Sequence, residues 1–185
     1  SRVDGVTFAD GPNSRFGLGT RELTGEGPVD ADQITQSVSI ENLHQTVIDL
    51  HYCRDPLADF GNLVKAGEYI ESKLNSFGLQ TGRQVFSVES SDDEFFNVVG
   101  VLNPGKTREI LITSHYDHLK GIVGADDNLS GVSIMIECAR ALSVSNHHTT
   151  VKFVAFTLEE YNEEISTTGD LGMKIALGSQ DYVQT

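Results

Sequence analysis

The sequence is poor in cysteine, in positive charge and in long apolar runs, and each shortage excludes a class of protein. With only Cys53 and Cys138 among 185 residues, the chain lacks the cysteine density of a disulfide-stabilised scaffold, and whether the two thiols pair stays open. Thirteen basic residues stand against 27 acidic ones, and the net charge of -14 argues against nucleic acid and anionic membrane surfaces as partners. No stretch approaches the roughly 18 consecutive apolar residues of a membrane-spanning helix.

The chain nevertheless has the material for one domain with a substantial core. Hydrophobic residues make up 38% of the sequence, which at this length favours a single globular domain. Residues 1–38 are rich in glycine and acidic residues and have no sustained hydrophobic period. We therefore predict an irregular N-terminal extension over residues 1–38 and a folded domain over residues 39–185.

Apolar spacing predicts helices and strands in a definite order. Ser39 is placed to cap a first helix, and Asn62 is placed to cap a second that ends before Gly78. Three β-rich runs follow, namely RQVFSV, FFNVVGVLN and EILITS. A third helix follows Asn128, and the run Val151–Leu158 is apolar at nearly every position, which indicates an interior strand. This order predicts an α/β layered domain.

Acidic residues occur at positions that this order brings together. HYD ends the run EILITS, ADDN precedes the third helix, and EE follows the interior strand. Because ligands in open α/β sheets bind outside the carboxyl ends of the strands, we expect the three groups to meet at one edge. Like charges in a partly dry crevice raise each other's pKa, so the cluster needs a cation to stay ionised. A histidine with carboxylates and no thiolate suits zinc or a similar ion.

The motifs SHYDH, GADDNLSG and FTLEE, in this order and with these separations, resemble the di-zinc exopeptidases of metallopeptidase family 28. A later LGSQDYV adds to the resemblance, which covers roughly residues 50–185. The family includes aminopeptidases, glutaminyl cyclases and the catalytically silent transferrin receptor ectodomain. The resemblance implies a three-layer α/β/α sandwich around a mixed, mostly parallel sheet. Residues 39–185 would then be the N-terminal portion of a zinc-peptidase catalytic domain.

The resemblance also implies a role for each residue of the site. His115 would be a terminal ligand of one zinc ion, Asp127 the carboxylate that bridges two ions, and Glu160 a ligand of the other. Asp117 would orient the imidazole of His115 by accepting its second N–H. Glu159 would be the general base, which takes a proton from the attacking water and passes it to the leaving amine. The implied substrate is a peptide with a free N-terminus.

Some assignments stay open on the residues themselves. Asp126 is an alternative ligand to Asp127, although the register of the motif favours Asp127. The cluster could also be a solvated acidic rim at a helix start, but such a rim requires neither His115 nor a glutamate pair on a third element. We expect His118 to form part of the wall of the site and not to bind metal.

The sequence departs from the family pattern in two places. The pattern includes two further ligands downstream, an aspartate after the next strand and a histidine near the C-terminus, whereas the chain stops at Thr185. We therefore expect an incomplete catalytic domain with partial or no zinc, inactive alone and prone to self-association or to pairing with a missing C-terminal segment. The stretch YNEEISTTGDLGMKIAL lengthens the connection after EE, either as a loop over the site or as a solvated acidic loop.

Two other functions are compatible with the same fold. The first is a noncatalytic binding module, against which the presence of Glu159 counts because this residue has no structural duty. The second is a glutaminyl cyclase-like acyltransferase with one zinc, which would not be expected to present the GADDN loop in this form. Secretion or a periplasmic location is an expectation from the resemblance alone.

Overall fold

A mixed β-sheet with helices packed against it organises the chain. The computed structural model describes residues 2–3, 6–8, 31–88, 91–119, 121–145, 148–160 and 177–184. The helices are α1 (Ala31–Ser37), α2 (Ile40–Asp49), α3 (Phe60–Ser76), α4 (Gly131–Ser143) and α5 (Leu177–Gln184). The strands are β1 (Arg2–Val3), β2 (Val6–Phe8), β3 (Gln80–Ser87), β4 (Glu94–Leu102), β5 (Glu109–His115) and β6 (Thr150–Phe156). Among the described helices, none has both the length and the apolar character that crossing a membrane requires.

The first long helices begin at side chains that cap them. The Ser39 hydroxyl accepts the N–H of Asn42, so Ser39 caps α2 as its position predicts. The second predicted cap, Asn62, is wrong. Helix α3 begins at Phe60, because the Asp59 carboxylate already accepts the backbone N–H of Asn62. Gly78 follows the end of α3 with a φ of 83°, a left-handed conformation that favours glycine.

The strand order of the sheet is β1-β2-β3-β4-β6-β5. The pairings from β1 through β6 are antiparallel, and β5 pairs with β6 in parallel. Parallel neighbours need a crossover connection, which here contains α4. The α/β class and the mixed sheet are confirmed. Among the described strands, however, only one pairing is parallel, so the parallel content is lower than the expected mostly parallel sheet.

Helices lie on both faces of the sheet. Successive residues of a strand point to opposite sides, so each strand can contribute to a core on either face. Val98 and Phe153 face the larger core, which α2, α3 and α4 cover. Val99 and Val154 face the opposite side, where Tyr182 of α5 packs against them. Strands β4 and β6 are therefore buried on both faces, as the apolar run of β6 predicts. The three layers of an α/β/α sandwich are all represented.

The N-terminal stretch contains more regular structure than its composition predicts. Strand β2 pairs with β1 on one side and with β3 on the other. The open edge of β3 supplies backbone partners to segments that are too short to show a strand period themselves. Helix α1 is tied to α4 by Arg140, which donates to the carbonyl of Ser37. The domain boundary at residue 38 stays a prediction, and most of the extension lies outside the described residues. Residues 161–176, for which the sequence predicts a loop, lie outside them as well.

Both cysteines are free thiols, so the pairing that the sequence left open is absent from this structure. Cys53 is exposed and follows α2, whereas Cys138 is half-buried in α4. No disulfide therefore links the described parts of the chain.

Candidate metal centre

Two chain segments meet where the parallel strands β5 and β6 end. His115 is the last residue of β5 and lies opposite Phe156, the last residue of β6. Glu159 and Glu160 come just after β6. One ligand atom each from His115, Glu159 and Glu160 lie within 4.8 Å of one another. The parallel pairing thus brings together the groups that the sequence order predicts at one edge.

Asp127 approaches His115 from the turn Ala125–Ser130, which precedes α4. Its Oδ1 lies 3.1 Å from Nε2 of His115. Asp126 and Asp127 are both exposed to solvent, and Asp127 is the one that forms an ion pair with the imidazole. The N–H of Leu129 donates to the carbonyl of Gly124 at 3.1 Å and closes this turn. The carboxylate next to the imidazole is therefore that of Asp127, in agreement with the register of the motif.

Asp117 is fully buried between the two strand ends. Its Oδ1 lies 3.6 Å from Nδ1 of His115, which is ion-pair distance and longer than a hydrogen bond. Its two oxygens also accept the backbone N–H groups of Glu159 and Glu160, at 3.1 Å and 3.0 Å. Asp117 thus lies where the imidazole can be oriented, and it also fixes the backbone of the glutamate pair. No sequence motif indicated this second contact, because it depends on how the chain turns after β6.

The crowding of carboxylates changes the proton affinities of the cluster. Burial lowers the pKa of His115, but the neighbouring carboxylates, with Asp117 first, outweigh burial and raise the pKa overall. Burial raises the pKa of Glu160, and the nearby Asp127 raises it further. His115 and Glu160 therefore bind protons more readily than they would as isolated side chains.

The donor atoms fit a zinc-like ion. Nδ1 of His115 is buried without a hydrogen-bond partner among the described residues, and it faces Asp117, while Nε2 faces Asp127. Two donors on one tetrahedral zinc, each about 2.0–2.1 Å from the ion, lie roughly 3.3 Å apart. The 3.1 Å separation of His115 Nε2 and Asp127 Oδ1 is close to that value. His115, Asp127 and Glu160 therefore fit as ligands, although their separate roles stay predictions.

His118 is fully buried, and both of its ring nitrogens are engaged elsewhere, so neither is free to bind a metal. Its place in the wall of the site stays a prediction. Nε2 accepts the backbone N–H of Arg54 at 2.8 Å, and Nδ1 lies 2.6 Å from the carbonyl of Leu119, to which it donates. Arg54 itself was not identified from the sequence, since a lone arginine after a helix belongs to no motif. It is fully buried, and burial lowers its pKa to about 10, which leaves it charged at neutral pH.

A cavity of about 340 Å³ opens beside the metal centre. Its lining consists of Thr113, Ser114, His115, Asn128, Phe156, Glu159 and Ser179. Small-molecule sites are clefts of about 300–1,000 Å³ with a few polar groups placed among apolar ones. The cavity therefore offers room for a substrate group in contact with His115 and Glu159.

Comparison with known proteins places this geometry in a family. The model described as peptidase family M28 matches residues 97–185, a segment that begins in β4 and contains all five predicted site residues. Residues 97–185, just under half of the chain, match peptidase family M28. The resemblance carried by the motifs SHYDH, GADDNLSG and FTLEE is thereby confirmed, and each of these motifs lies at the candidate metal centre described above.

The chain is similar to known proteins over part of their length. It is 34% identical over 90 residues to aminopeptidase YwaD of Bacillus subtilis, a match that covers 47% of this chain and 17% of that protein. A Zn-dependent exopeptidase from Parabacteroides distasonis superposes with a TM-score of 0.69 at 21% identity, covering 80% of this chain and 56% of the other. The glutaminyl cyclase of Macrostomum lignano gives a TM-score of 0.69 at 20% identity, with 87% and 50% covered. The chain thus spans about half the length of these solved structures, and they establish its fold.

Proposed function

We propose that the protein to which this chain belongs is a zinc-dependent exopeptidase of the aminopeptidase type, which hydrolyses the N-terminal bond of peptides with a free amino group. One observation carries the proposal: ligand atoms of His115, Glu159 and Glu160 meet within 4.8 Å at the ends of two parallel strands, and Asp127 faces His115. The match of residues 97–185 to peptidase family M28 and the similarity to a Bacillus subtilis aminopeptidase support peptides as substrates.

The residues of the site divide into ligands, a base and a positioning group. His115, Asp127 and Glu160 would hold zinc, with two ions expected in the complete enzyme. Bound zinc would supply a Lewis acid for the scissile carbonyl and would lower the pKa of the attacking water toward about 7. Glu159 would act as the general base, which takes a proton from the attacking water and passes it to the leaving amine. Asp117 holds Glu159 and Glu160 in place through their backbone N–H groups.

The two glutamates provide the test, because both lie within reach of His115 while only one is proposed as a ligand. In the full-length protein, Glu159→Gln should lower kcat for aminoacyl chromogenic substrates by about 10²–10⁴-fold. Its zinc affinity, measured by calorimetry, should stay close to that of the wild type. Glu160→Gln should weaken zinc binding instead. Glu109→Gln, at the opposite end of β5, is the matched control and should change neither quantity.

The outcomes distinguish the proposed exopeptidase from the alternative assignments. If Glu159→Gln lost zinc and Glu160→Gln retained it, Glu159 would be the ligand and Glu160 the general base. A wild-type protein that binds zinc and hydrolyses none of a panel of aminoacyl substrates would refute the exopeptidase assignment. A wild-type protein that binds no zinc would favour a noncatalytic module of the same fold.

A second candidate function is glutaminyl cyclase-like acyl transfer. It is favoured by the fold comparison, in which a glutaminyl cyclase superposes as well as a zinc-dependent exopeptidase, each with a TM-score of 0.69. A peptide with N-terminal glutamine distinguishes the two reactions by mass spectrometry. Aminopeptidase activity releases free glutamine and a shortened peptide, whereas cyclisation releases ammonia and leaves every peptide bond intact.

A further inference from the structure

Arg54 is fully buried and uses every donor of its side chain. A guanidinium has five N–H groups. The structure gives them five acceptors, all of them backbone carbonyls: Nε donates to Tyr116 (2.9 Å), Nη1 to Leu50 (2.7 Å) and Tyr52 (2.9 Å), and Nη2 to Val123 (3.3 Å) and Gly124 (3.2 Å).

The five carbonyls belong to three segments, two of which carry predicted ligands. Leu50 and Tyr52 lie at the C-terminal end of α2. Tyr116 lies between His115 and Asp117, at the end of β5. Val123 and Gly124 lead into the turn that carries Asp127. The Gly124 carbonyl also accepts the N–H that closes this turn, so Arg54 binds the ligand turn at the point where it is fastened.

Burying the charged Arg54 at this position costs free energy that an apolar side chain would not. Burying a guanidinium is unfavourable unless its donors are bonded and an opposite charge lies near, and an apolar side chain of similar volume avoids that penalty. Asp117 is the buried carboxylate whose charge acts on Arg54. Asp117 in turn binds the backbone of Glu159 and Glu160. Arg54 binds the backbone at the end of β5 and before the Asp127 turn, and Asp117 binds the backbone after β6. Together they connect the three segments that carry predicted ligands.

We infer that Arg54 is a positioning residue of the metal centre, which holds the turn carrying Asp127 against the strand end carrying His115. The inference rests on the proposed metal-dependent function. Lysine cannot replace the arginine, because an ammonium has three donors at one point, whereas the planar guanidinium reaches in three directions. Without Arg54 the ligands remain present, but the separation of Asp127 and His115 is no longer fixed.

The test compares two Arg→Lys variants of the full-length protein. Arg54→Lys should raise the dissociation constant for Zn²⁺, measured by calorimetry, by about 10–100-fold, the usual effect of losing a group that orients ligands. Arg140→Lys is the matched control, since Arg140 also donates to a backbone carbonyl and joins two helices, but it binds Ser37 and Glu137 away from the ligands. It should leave the Zn²⁺ dissociation constant within about threefold.

A spectroscopic readout separates positioning from general stability. Both variants are expected to melt at lower temperature, but only Arg54→Lys should change the visible absorption spectrum of bound Co²⁺, which reports ligand geometry. A wild-type protein that binds neither Zn²⁺ nor Co²⁺ overturns the proposed function. Wild-type binding with an unchanged affinity and spectrum in Arg54→Lys overturns the role of Arg54 alone.

A measurement on the wild type covers the case in which Arg54→Lys does not fold. The Nε–H of Arg54, bonded to the Tyr116 carbonyl, should give a nuclear magnetic resonance signal protected from solvent exchange. Addition of Zn²⁺ should shift this signal, because ligand binding at Asp127 and His115 acts on the two segments that Arg54 joins. A signal that exchanges rapidly or is insensitive to Zn²⁺ contradicts the inference.

Discussion

Asp117 shows how one residue can serve several parts of a site. Its carboxylate has no exposed surface and accepts two backbone N–H groups while facing His115. In Asp117→Asn the new NH₂ group would face one of those N–H donors, so a buried donor would lose its acceptor. We expect the free energy of unfolding to fall by about 1–3 kcal/mol. Urea unfolding measures this loss as a lower midpoint at an unchanged m-value.

Asp126 supplies the control for Asp117. It lies in the same acidic motif and its side chain is exposed. Asp126→Asn makes the same chemical change without removing a described backbone contact, and exposed substitutions of this kind stay within about 0.5 kcal/mol. Equal losses of stability in Asp117→Asn and Asp126→Asn would mean that the two backbone contacts of Asp117 contribute nothing measurable.

At the scale of the secondary-structure elements, Glu137 joins the start of α2 to α4. One oxygen accepts the backbone N–H of Ser39 at 2.6 Å, the other accepts the Asn42 amide at 3.2 Å, and Arg140 binds both. Burial raises the pKa of Glu137, but the hydrogen bonds, with Arg140 first, outweigh it and hold the pKa below its usual value. The folded state thus prefers the charged carboxylate.

The sign of this shift gives a prediction about pH. A carboxyl whose pKa is lowered by folding stabilises the protein above its unfolded pKa of about 4.3, and that contribution is lost as the pH falls through the folded value. Glu137→Gln should therefore cost about 1–3 kcal/mol at pH 7, and the difference from wild type should shrink below about pH 4. Urea unfolding across this range measures it. Glu68→Gln is the control, because it removes an exposed ion pair with Arg83 at 3.8 Å and should cost less than about 1 kcal/mol at every pH. If the stability difference between Glu137→Gln and wild type persisted in acid, the lowered pKa of Glu137 would not be its cause.

Element positions could be predicted from the sequence where local chemistry determines them. Ser39 sits before an apolar helical period and caps α2, and the run VKFVAF is buried on both sides as an interior strand. The start of α3 could not be placed as well, because Asp59 and Asn62 are both good caps and only the fold decides between them. The two N-terminal strands escaped prediction because their pairing depends on the distant edge of β3.

The residues of the site likewise fall into those that the sequence predicts and those that it does not. His115, Asp127 and the glutamate pair could be placed at one edge because strand direction alone brings strand ends together. Arg54 and the backbone contacts of Asp117 could not, because they bind backbone carbonyls and N–H groups, which every residue has and no motif marks. Groups that recognise side-chain chemistry leave a pattern in sequence, and groups that support the backbone do not.

At the scale of the whole molecule, the strand β5 lies at one edge of the described sheet. Ile110 and Leu111 of this strand are 52% and 51% exposed. Exposed apolar edge strands favour pairing with another strand, whereas the net charge of -14 opposes contact between copies. Self-association of the chain therefore stays a prediction, and the balance should shift toward association as salt screens the charge.

Zinc binding should also raise the thermal stability of the whole fold. Zinc binds the folded chain, where the ligands are assembled, in preference to the unfolded chain, so it stabilises the native state. At 100 times the dissociation constant the gain is about 2.7 kcal/mol, which for a domain of this size is roughly 5–10 °C in Tm. Calorimetry with Zn²⁺, and then with a chelator that reverses the effect, measures it.

Magnesium separates binding from general neutralisation of charge. Mg²⁺ carries the same charge but prefers six oxygen ligands, so at equal concentration it should raise Tm by no more than about 1–2 °C. The double variant His115→Asn, Glu160→Gln removes the imidazole and one carboxylate of the proposed ligand set, and it should abolish the zinc-dependent rise while retaining the small magnesium effect. Equal shifts with the two cations, or a zinc shift that survives in the double variant, would mean that zinc acts on the acidic surface at large and not at the centre where β5 and β6 end.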